Sequence, residues 1–205
     1  MAIDSYDTLV AAIVDRMNDA SMESYAPEFI QLAEASFNRR IFDLEAEGTA
    51  TIAADVSVPL PSDFGSIKSI WLDTDPIQKL TQVSIDQLRS IVPFATTGRP
   101  RYYALAGAEI IFGPSPDDAY SVNMVYQRKL APLTATNTTN WLLEQHPDLY
   151  LYGALVEAEA RGWSDDRAAM INGKVEGIIA EINRAGNMKR TSGGIRMNAR
   201  ARWGI

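Results

Sequence analysis

The spacing of apolar residues changes twice along this chain, and these changes constrain its fold more than any other feature. Near the start, Leu9 and Ile13 have the four-residue spacing that buries one face of a helix. Over residues 49–130 apolar residues tend to alternate with polar ones, most clearly at Val122 and Met124. Helical spacing returns towards the end. The sequence therefore predicts an α+β protein whose helical ends flank a β-rich insertion.

Two helices are predicted before the insertion. The first runs from about Ser5 to Met17. Pro27 and Glu28 suit the first turn of the second helix, where a missing N–H costs little and a carboxylate favours the helix dipole. Gly48 is the predicted stop. The predicted buried stripes are Tyr6, Leu9, Val10, Ile13, Val14 and Met17 in the first helix, and Phe29, Ile30, Ala33, Phe37, Ile41 and Leu44 in the second.

The insertion is predicted to be small and mostly antiparallel. Pro59 and Pro61 limit the piece around Val58 to an edge strand or the approach to a turn, because proline cannot donate to a ladder. A strand is expected over Ile67–Leu72 and a short helix over Ser84–Ile91. The clearest strand alternates Tyr120, Val122, Met124 and Tyr126 with Ser121, Asn123, Val125 and Gln127.

Two further helices are predicted after the insertion. Pro147 begins one, and Ser164 with Asp165 and Asp166 caps the next. The predicted buried stripe of the last helix is Ile171, Val175, Ile178 and Ile182. Glycine in a helix interior costs about 1 kcal/mol, so close helix contacts are expected at Gly153, Ala169, Gly173 and Gly177.

These patterns divide the chain into three regions. Residues 1–48 and 141–185 are predicted to form a bundle of about four main helices, two at each end of the chain. Residues 49–140 form the β-rich insertion, and residues 186–205 form a basic, extended carboxy-terminal tail.

Charge and composition narrow the function classes. The first 181 residues carry 13 basic and 26 acidic residues, whereas residues 182–205 carry six basic residues and no acid. The chain has no cysteine, which excludes disulfides and thiolate chemistry. Apolar runs are too short to cross a bilayer, and the start does not resemble an export signal, so synthesis and assembly in the cytoplasm are expected.

No catalytic, metal or cofactor site is predicted. The only histidine, His146, stands where a helix begins and lacks a second histidine as partner. Phosphate-binding glycine motifs and the G-x-S-x-G nucleophile motif are absent. The aspartate pairs at Asp73 and Asp75, Asp117 and Asp118, and Asp165 and Asp166 all stand where turns or helix starts favour aspartate.

The basic tail is the one feature that the fold does not explain. It could be a solvated terminus, a segment that becomes ordered on a protein partner, or a nucleic-acid contact. The net negative charge of the preceding residues argues against DNA as the main ligand. The residues predicted to bind a partner are Lys189, Arg190, Ile195, Arg196, Met197, Arg200, Arg202 and Trp203.

Several strings taken in order resemble the head-to-tail adaptor, or connector, proteins of tailed bacteriophages. They are Phe37–Arg40 at the end of a helix, VPLPSDF at Val58–Phe64, Ile110–Phe112 before Gly113–Pro116, the strand that reaches Tyr126, and HPDLYLYGALVEA at His146–Ala158.

The resemblance implies a non-enzymatic virion subunit at the head–tail junction, without a cofactor or membrane contact. The subunits would form a homo-oligomeric ring, expected to be twelve-fold, between the portal protein and a tail or nozzle protein, and DNA would pass through as cargo. The carboxy-terminal segment would dock on the portal. Two alternatives stay open: a nucleic-acid-binding module that uses the tail, and an enzyme whose site carries no known motif.

Overall fold

The structure is a computed structural model that describes residues 2–43, 46–92, 96–161 and 165–191. Its contacts separate two compact units. The helical unit contains the described residues up to position 43 and from position 132 onwards. The β unit contains the described residues from 46 to 131. The chain is therefore an α+β protein, as predicted.

Six α-helices are present in the described residues. They are α1 (Tyr6–Met17), α2 (Ala26–Arg40), α3 (Ile85–Ile91), α4 (Trp141–Gln145), α5 (Pro147–Arg161) and α6 (Asp165–Thr191); a 3₁₀ turn spans Ala20–Ser24. Helix α3 belongs to the β unit. Two α-helices therefore precede the β unit and three follow it, whereas the sequence predicted two main helices at each end.

Local sequence explains where α1 begins. The Ser5 hydroxyl accepts from the Thr8 N–H, and Thr8 in turn accepts from the Ser5 N–H, which satisfies two otherwise unpaired donors. Leu9 and Ile13 are fully buried, as their spacing predicted. The other apolar residues of the predicted α1 stripe are only half-buried.

Helix α2 ends earlier than the sequence predicted. Its capping residue Ile41 already has extended backbone, so the expected stop at Gly48 is wrong. Gly48 instead lies in the first strand, where an added Cβ would come within 2.8 Å of Arg128 side-chain atoms and 2.9 Å of the Tyr126 ring. Leu44, the last residue of the predicted stripe, lies outside the described residues.

Helix α6 confirms the predicted stripe with one change. Its buried residues include Ile171, Val175, Ile179 and Ile182, and Ile178 is half-buried. The helix also continues to Thr191, beyond Gly186, where the sequence predicted that the tail begins. Ser164, its predicted cap, lies outside the described residues.

The β unit contains two four-stranded sheets. The strands are β1 (Glu47–Ala53), β2 (Ser57–Pro59), β3 (Phe64–Leu72), β4 (Gln78–Lys79), β5 (Thr81–Gln82), β6 (Tyr102–Ala106), β7 (Glu109–Gly113) and β8 (Ser121–Arg128). One sheet has the order β1-β8-β3-β4 and the other the order β2-β7-β6-β5. All pairs are antiparallel except β5–β6, which is parallel.

The core of the β unit draws on both sheets. Strand β8 contributes the alternating residues Val122, Met124 and Tyr126, which are buried as predicted. Pro59 lies in an edge strand, which is one of the two predicted positions. The remaining members of the buried cluster are Ile70, Leu72, Leu80, Tyr103, Ile110 and Phe112. Among the described residues, no helix is long and apolar enough to cross a bilayer.

Residues 132–140 pack with the helical unit, although the sequence placed them in the insertion. Leu133 is buried, and its N–H donates to the Glu34 carboxylate at 2.9 Å. The Tyr6 N–H donates to the carbonyl oxygen of Thr138 at 2.8 Å. This connection therefore completes the helical core, because it supplies partners to both α1 and α2.

Candidate interaction surfaces

The end of α6 is fixed to the segment that leaves α2. The Asn183 side chain lies between them: its Oδ1 accepts from the Phe42 N–H at 2.8 Å, and its Nδ2 donates to the Arg40 carbonyl oxygen at 2.9 Å. Arg40 also forms an ion pair with Glu176. A single asparagine therefore satisfies backbone groups that the end of α2 leaves unpaired.

Asp43, which follows α2 in the chain, makes a second attachment to α6, at Gly186 and Lys189. Its carboxylate is buried, and the Lys189 ammonium lies 3.7 Å from its Oδ1. Gly186 allows the approach, because an added Cβ would lie 2.8 Å from Asp43 Oδ2 and 3.2 Å from its Cα. The last turns of α6 are thus part of the helical unit.

The predicted partner-binding residues fall into two groups. Lys189 and Arg190 are in the last turn of α6, and Lys189 is held against Asp43. The others, namely Ile195, Arg196, Met197, Arg200, Arg202 and Trp203, lie outside the described residues. The structure therefore describes the first two of these residues only.

A shallow groove of about 740 Å³ lies along α1. Tyr6, Val10 and Val14 line it and are half-buried. Asp7, Ala11, Asp15, Glu23 and Pro27 complete its described lining. The described lining thus combines an apolar floor with acidic residues and contains no basic residue.

A buried polar network joins α2, α5 and the residues before α4. Tyr150 donates its hydroxyl to Glu34 Oε1 at 2.9 Å and accepts from Asn140 Nδ2 at 2.7 Å. Asn140 Oδ1 also accepts from the Leu143 N–H at 2.9 Å and so caps α4. Burial raises the pKa of Glu34 even though Leu133 and Tyr150 donate to its carboxylate.

Three of the other polar candidates, His146, Asp117 and Asp118, lie at a helix end or in a bend. The His146 N–H donates to the carbonyl oxygen of Leu142 at the end of α4. Asp117 and Asp118 lie in a bend between β7 and β8, where Asp117 accepts from the Tyr120 hydroxyl and Asp118 accepts from the Ala119 N–H. Across the described ranges, no group of three or more His, Cys, Asp or Glu residues could hold a metal ion.

The helix glycines differ sharply in their surroundings. At Gly153 an added Cβ would lie 2.5 Å from Phe37 Cζ and 3.3 Å from Ala33 Cβ, which confirms the predicted close helix contact and shows that the partner is α2. At Gly173 and Gly177 no atom of the described residues lies within 4 Å of an added Cβ. The predicted contacts at these two α6 positions are therefore not made within the described chain.

Sequence reasoning missed Glu34 and Asp43. Glu34 stands within the apolar stripe of α2, next to Ala33, and a charged residue on a buried face was a signal that could have been used. Asp43 carried no comparable signal, because its burial depends on Gly186, far away in sequence.

Comparison with known proteins decides the family. The model of the SU10 adaptor protein family matches residues 4–200 of the 205 residues. The chain belongs to the SU10 adaptor protein family. This family is one of phage adaptor proteins, which confirms the resemblance found in the sequence. No curated protein matches the chain at a significant level.

Membership in the SU10 adaptor family supports a structural, non-enzymatic role at the head–tail junction of a virion. It also supports association with portal and tail proteins. The match extends nine residues past Thr191, the last residue of α6, and so includes most of the basic segment. Interaction surfaces are therefore the functional features to seek in this chain.

Proposed function

We propose that this chain is the ring-forming subunit that joins the phage portal to the tail. Twelve copies would form the ring, with the portal on one side and a tail or nozzle protein on the other, and DNA would pass through the centre. The family match over residues 4–200 carries this proposal.

The portal contact would be made by the basic stretch from Lys189 to Trp203, which begins in the last turn of α6. This stretch combines arginines, which donate two hydrogen bonds to one carboxylate, with apolar anchors. The attachment of α6 through Asn183 and Asp43 supports this role, because it gives the segment a fixed point of departure. A fixed origin lowers the ordering cost of docking.

Mixing the purified chain with the portal protein of the same phage tests the proposal. We expect a stable complex in native mass spectrometry and a twelve-fold ring beneath the portal in particle images. Obligate interfaces of this kind bury upwards of about 2,000 Å², so the complex should persist on dilution. A chain that stays monomeric and does not bind the portal would contradict the proposal.

Truncation tests the role of the segment. A chain that ends at Thr191 retains the contact between Lys189 and Asp43, so it should still fold cooperatively but lose portal binding. The triple variant Arg196→Gln, Arg200→Gln and Arg202→Gln should weaken binding, whereas Arg184→Gln, on the exposed side of α6, is the matched control. Full portal binding by the truncated chain would place the contact elsewhere.

A salt titration separates protein docking from the nucleic-acid alternative. If the segment bound DNA, the affinity would fall steeply with salt, at a slope set by the number of phosphates neutralised, and truncation at Thr191 would abolish it. We expect DNA binding to be weak, because the first 181 residues carry a net charge of −13.

A further inference from the structure

The groove along α1 and the basic segment after α6 have complementary chemistry. We propose that in the free subunit this groove binds residues 192–205 of the same chain. The contact would hold the segment on the helical unit of the free subunit. The inference concerns the subunit alone and does not rest on portal docking.

The groove exists because the helical unit covers only part of the apolar stripe of α1. Leu9 and Ile13 are fully buried against the helical core. Tyr6, Val10 and Val14 extend the same stripe, but they are only half-buried and line the groove. Covering them would remove further apolar surface from water, at about 25 cal/mol per Å².

The acidic residues of the groove indicate which kind of peptide it would bind. Asp7, Asp15 and Glu23 line it, all are exposed, and its described lining contains no basic side chain. Two of these acids are eight residues apart on α1, which corresponds to about 12 Å along the helix. Such an arrangement favours an extended, basic peptide that also carries apolar side chains.

Residues 192–205 have this composition. They contain Arg196, Arg200 and Arg202, and they contain no acidic residue. Their larger apolar residues include Ile195, Met197 and Trp203, interspersed among the arginines. Arginines would pair with the acidic rim while the apolar residues cover the groove floor.

The segment can reach the groove. Lys189 lines a cleft together with His146 and Asp148, so the end of α6 lies beside the start of α5. The start of α1 is held against the segment just before α4, because the Tyr6 N–H donates to the carbonyl oxygen of Thr138. The 14 residues of the segment span up to about 46–50 Å when extended, which exceeds the width of a small helical bundle.

Engineered disulfides test the proposal directly, because the natural chain has no cysteine. The full chain with Ala11→Cys and Ala201→Cys should form an intramolecular disulfide under mild oxidation. The control pair, Ala180→Cys with Ala201→Cys, uses an exposed α6 position outside the groove. If the segment binds the groove, the disulfide should form about tenfold faster in the first pair than in the control pair.

Charge reversal supplies the second test. In the groove pair, Asp7→Lys with Asp15→Lys should reduce the cross-linking rate to that of the control, whereas Asp55→Lys with Asp86→Lys, at exposed positions of the β unit, should not. The same groove substitutions in the cysteine-free chain should speed tryptic cleavage after Arg196, Arg200 and Arg202.

Equal cross-linking rates in the two cysteine pairs would overturn the proposal. Disulfide-linked dimers in place of monomers would also overturn it, since the occupant would then come from a second copy. Portal binding, measured separately, distinguishes these failures from failure of the proposed function. A subunit could lose the groove contact and still bind the portal.

Discussion

Tyr150 and Glu34 join α5 to α2 through one buried hydrogen bond, in which the hydroxyl donates to the carboxylate at 2.9 Å. The Tyr150 ring also packs edge-on against Phe37, with 5.5 Å between the ring centres. Asn140 donates to the same hydroxyl from the other side. The network ties helices from both ends of the chain, so it is a sensitive point of the helical unit.

Tyr150→Phe should destabilise the protein by about 1–3 kcal/mol, because it leaves Asn140 and Glu34 buried without one of their partners. Chemical denaturation followed by circular dichroism measures the free energy of unfolding. Tyr152→Phe, two residues along the same helix and half-buried, is the matched control and should change it little. Equal stability of the two variants would show that the network contributes nothing.

Glu34 should make stability depend on pH. Burial raises the pKa of Glu34 in the folded protein above the ordinary value of 4.5. At a pH around and between these two pKa values, the folded state therefore binds more protons than the unfolded state. Its contribution to the free energy of unfolding is therefore fully present below about pH 4.5 and is lost as the pH rises through the folded-state pKa.

Glu34→Gln isolates this effect, because glutamine keeps an acceptor for Leu133 and Tyr150 but does not titrate. The stability of the natural chain relative to this variant should fall as the pH rises from 4 upwards. Glu28→Gln, an exposed position on the same helix, is the control. A stability difference that stays constant over this range would contradict the pKa assignment.

Alanine at two helix glycines should have opposite effects. Gly153→Ala should destabilise the subunit by roughly 1–3 kcal/mol, because the new Cβ would lie 2.5 Å from the buried ring of Phe37. Gly177→Ala should stabilise it by up to about 1 kcal/mol, since no atom of the described residues lies within 4 Å of the new Cβ and alanine favours the helix. Effects of the same sign would contradict this packing.

Gly177→Ala also tests whether α6 meets a neighbouring subunit. If a ring neighbour packs on this exposed face, the variant should be more stable as a free subunit yet assemble less well on the portal. Native mass spectrometry of the complex measures assembly. Unchanged assembly would mean that the glycine serves no close contact.

Gly186→Ala should loosen the end of α6, because the new Cβ would lie 3.2 Å from the Asp43 backbone. Faster amide hydrogen exchange over residues 183–191 is the expected result, with loss of stability of about 1–3 kcal/mol. Gly177→Ala, on the same helix, should leave this exchange unchanged. Equal exchange in both variants would show that Asp43 does not hold the helix end.

The sequence predicted the elements that local chemistry governs. The buried residues of α1 and α6, the alternation of β8 and the edge position of Pro59 all follow from residue spacing and proline geometry. Helix ends were less predictable. The sequence predicted that Gly48 ends a helix. It lies instead in strand β1, where the lack of a side chain leaves room for Arg128, and the local sequence gives no sign of that contact.

What the sequence by itself determined was the order of helices and strands, the uneven charge and the family, because each depends on residue types at short spacing or on the chain as a string. Only the tertiary structure decided that Asp43 meets Gly186 and Lys189, that Tyr150 meets Glu34, and that part of the α1 stripe stays uncovered as a groove. These features join residues more than a hundred positions apart or depend on what the neighbouring helices leave exposed. Local propensity carries no information on either.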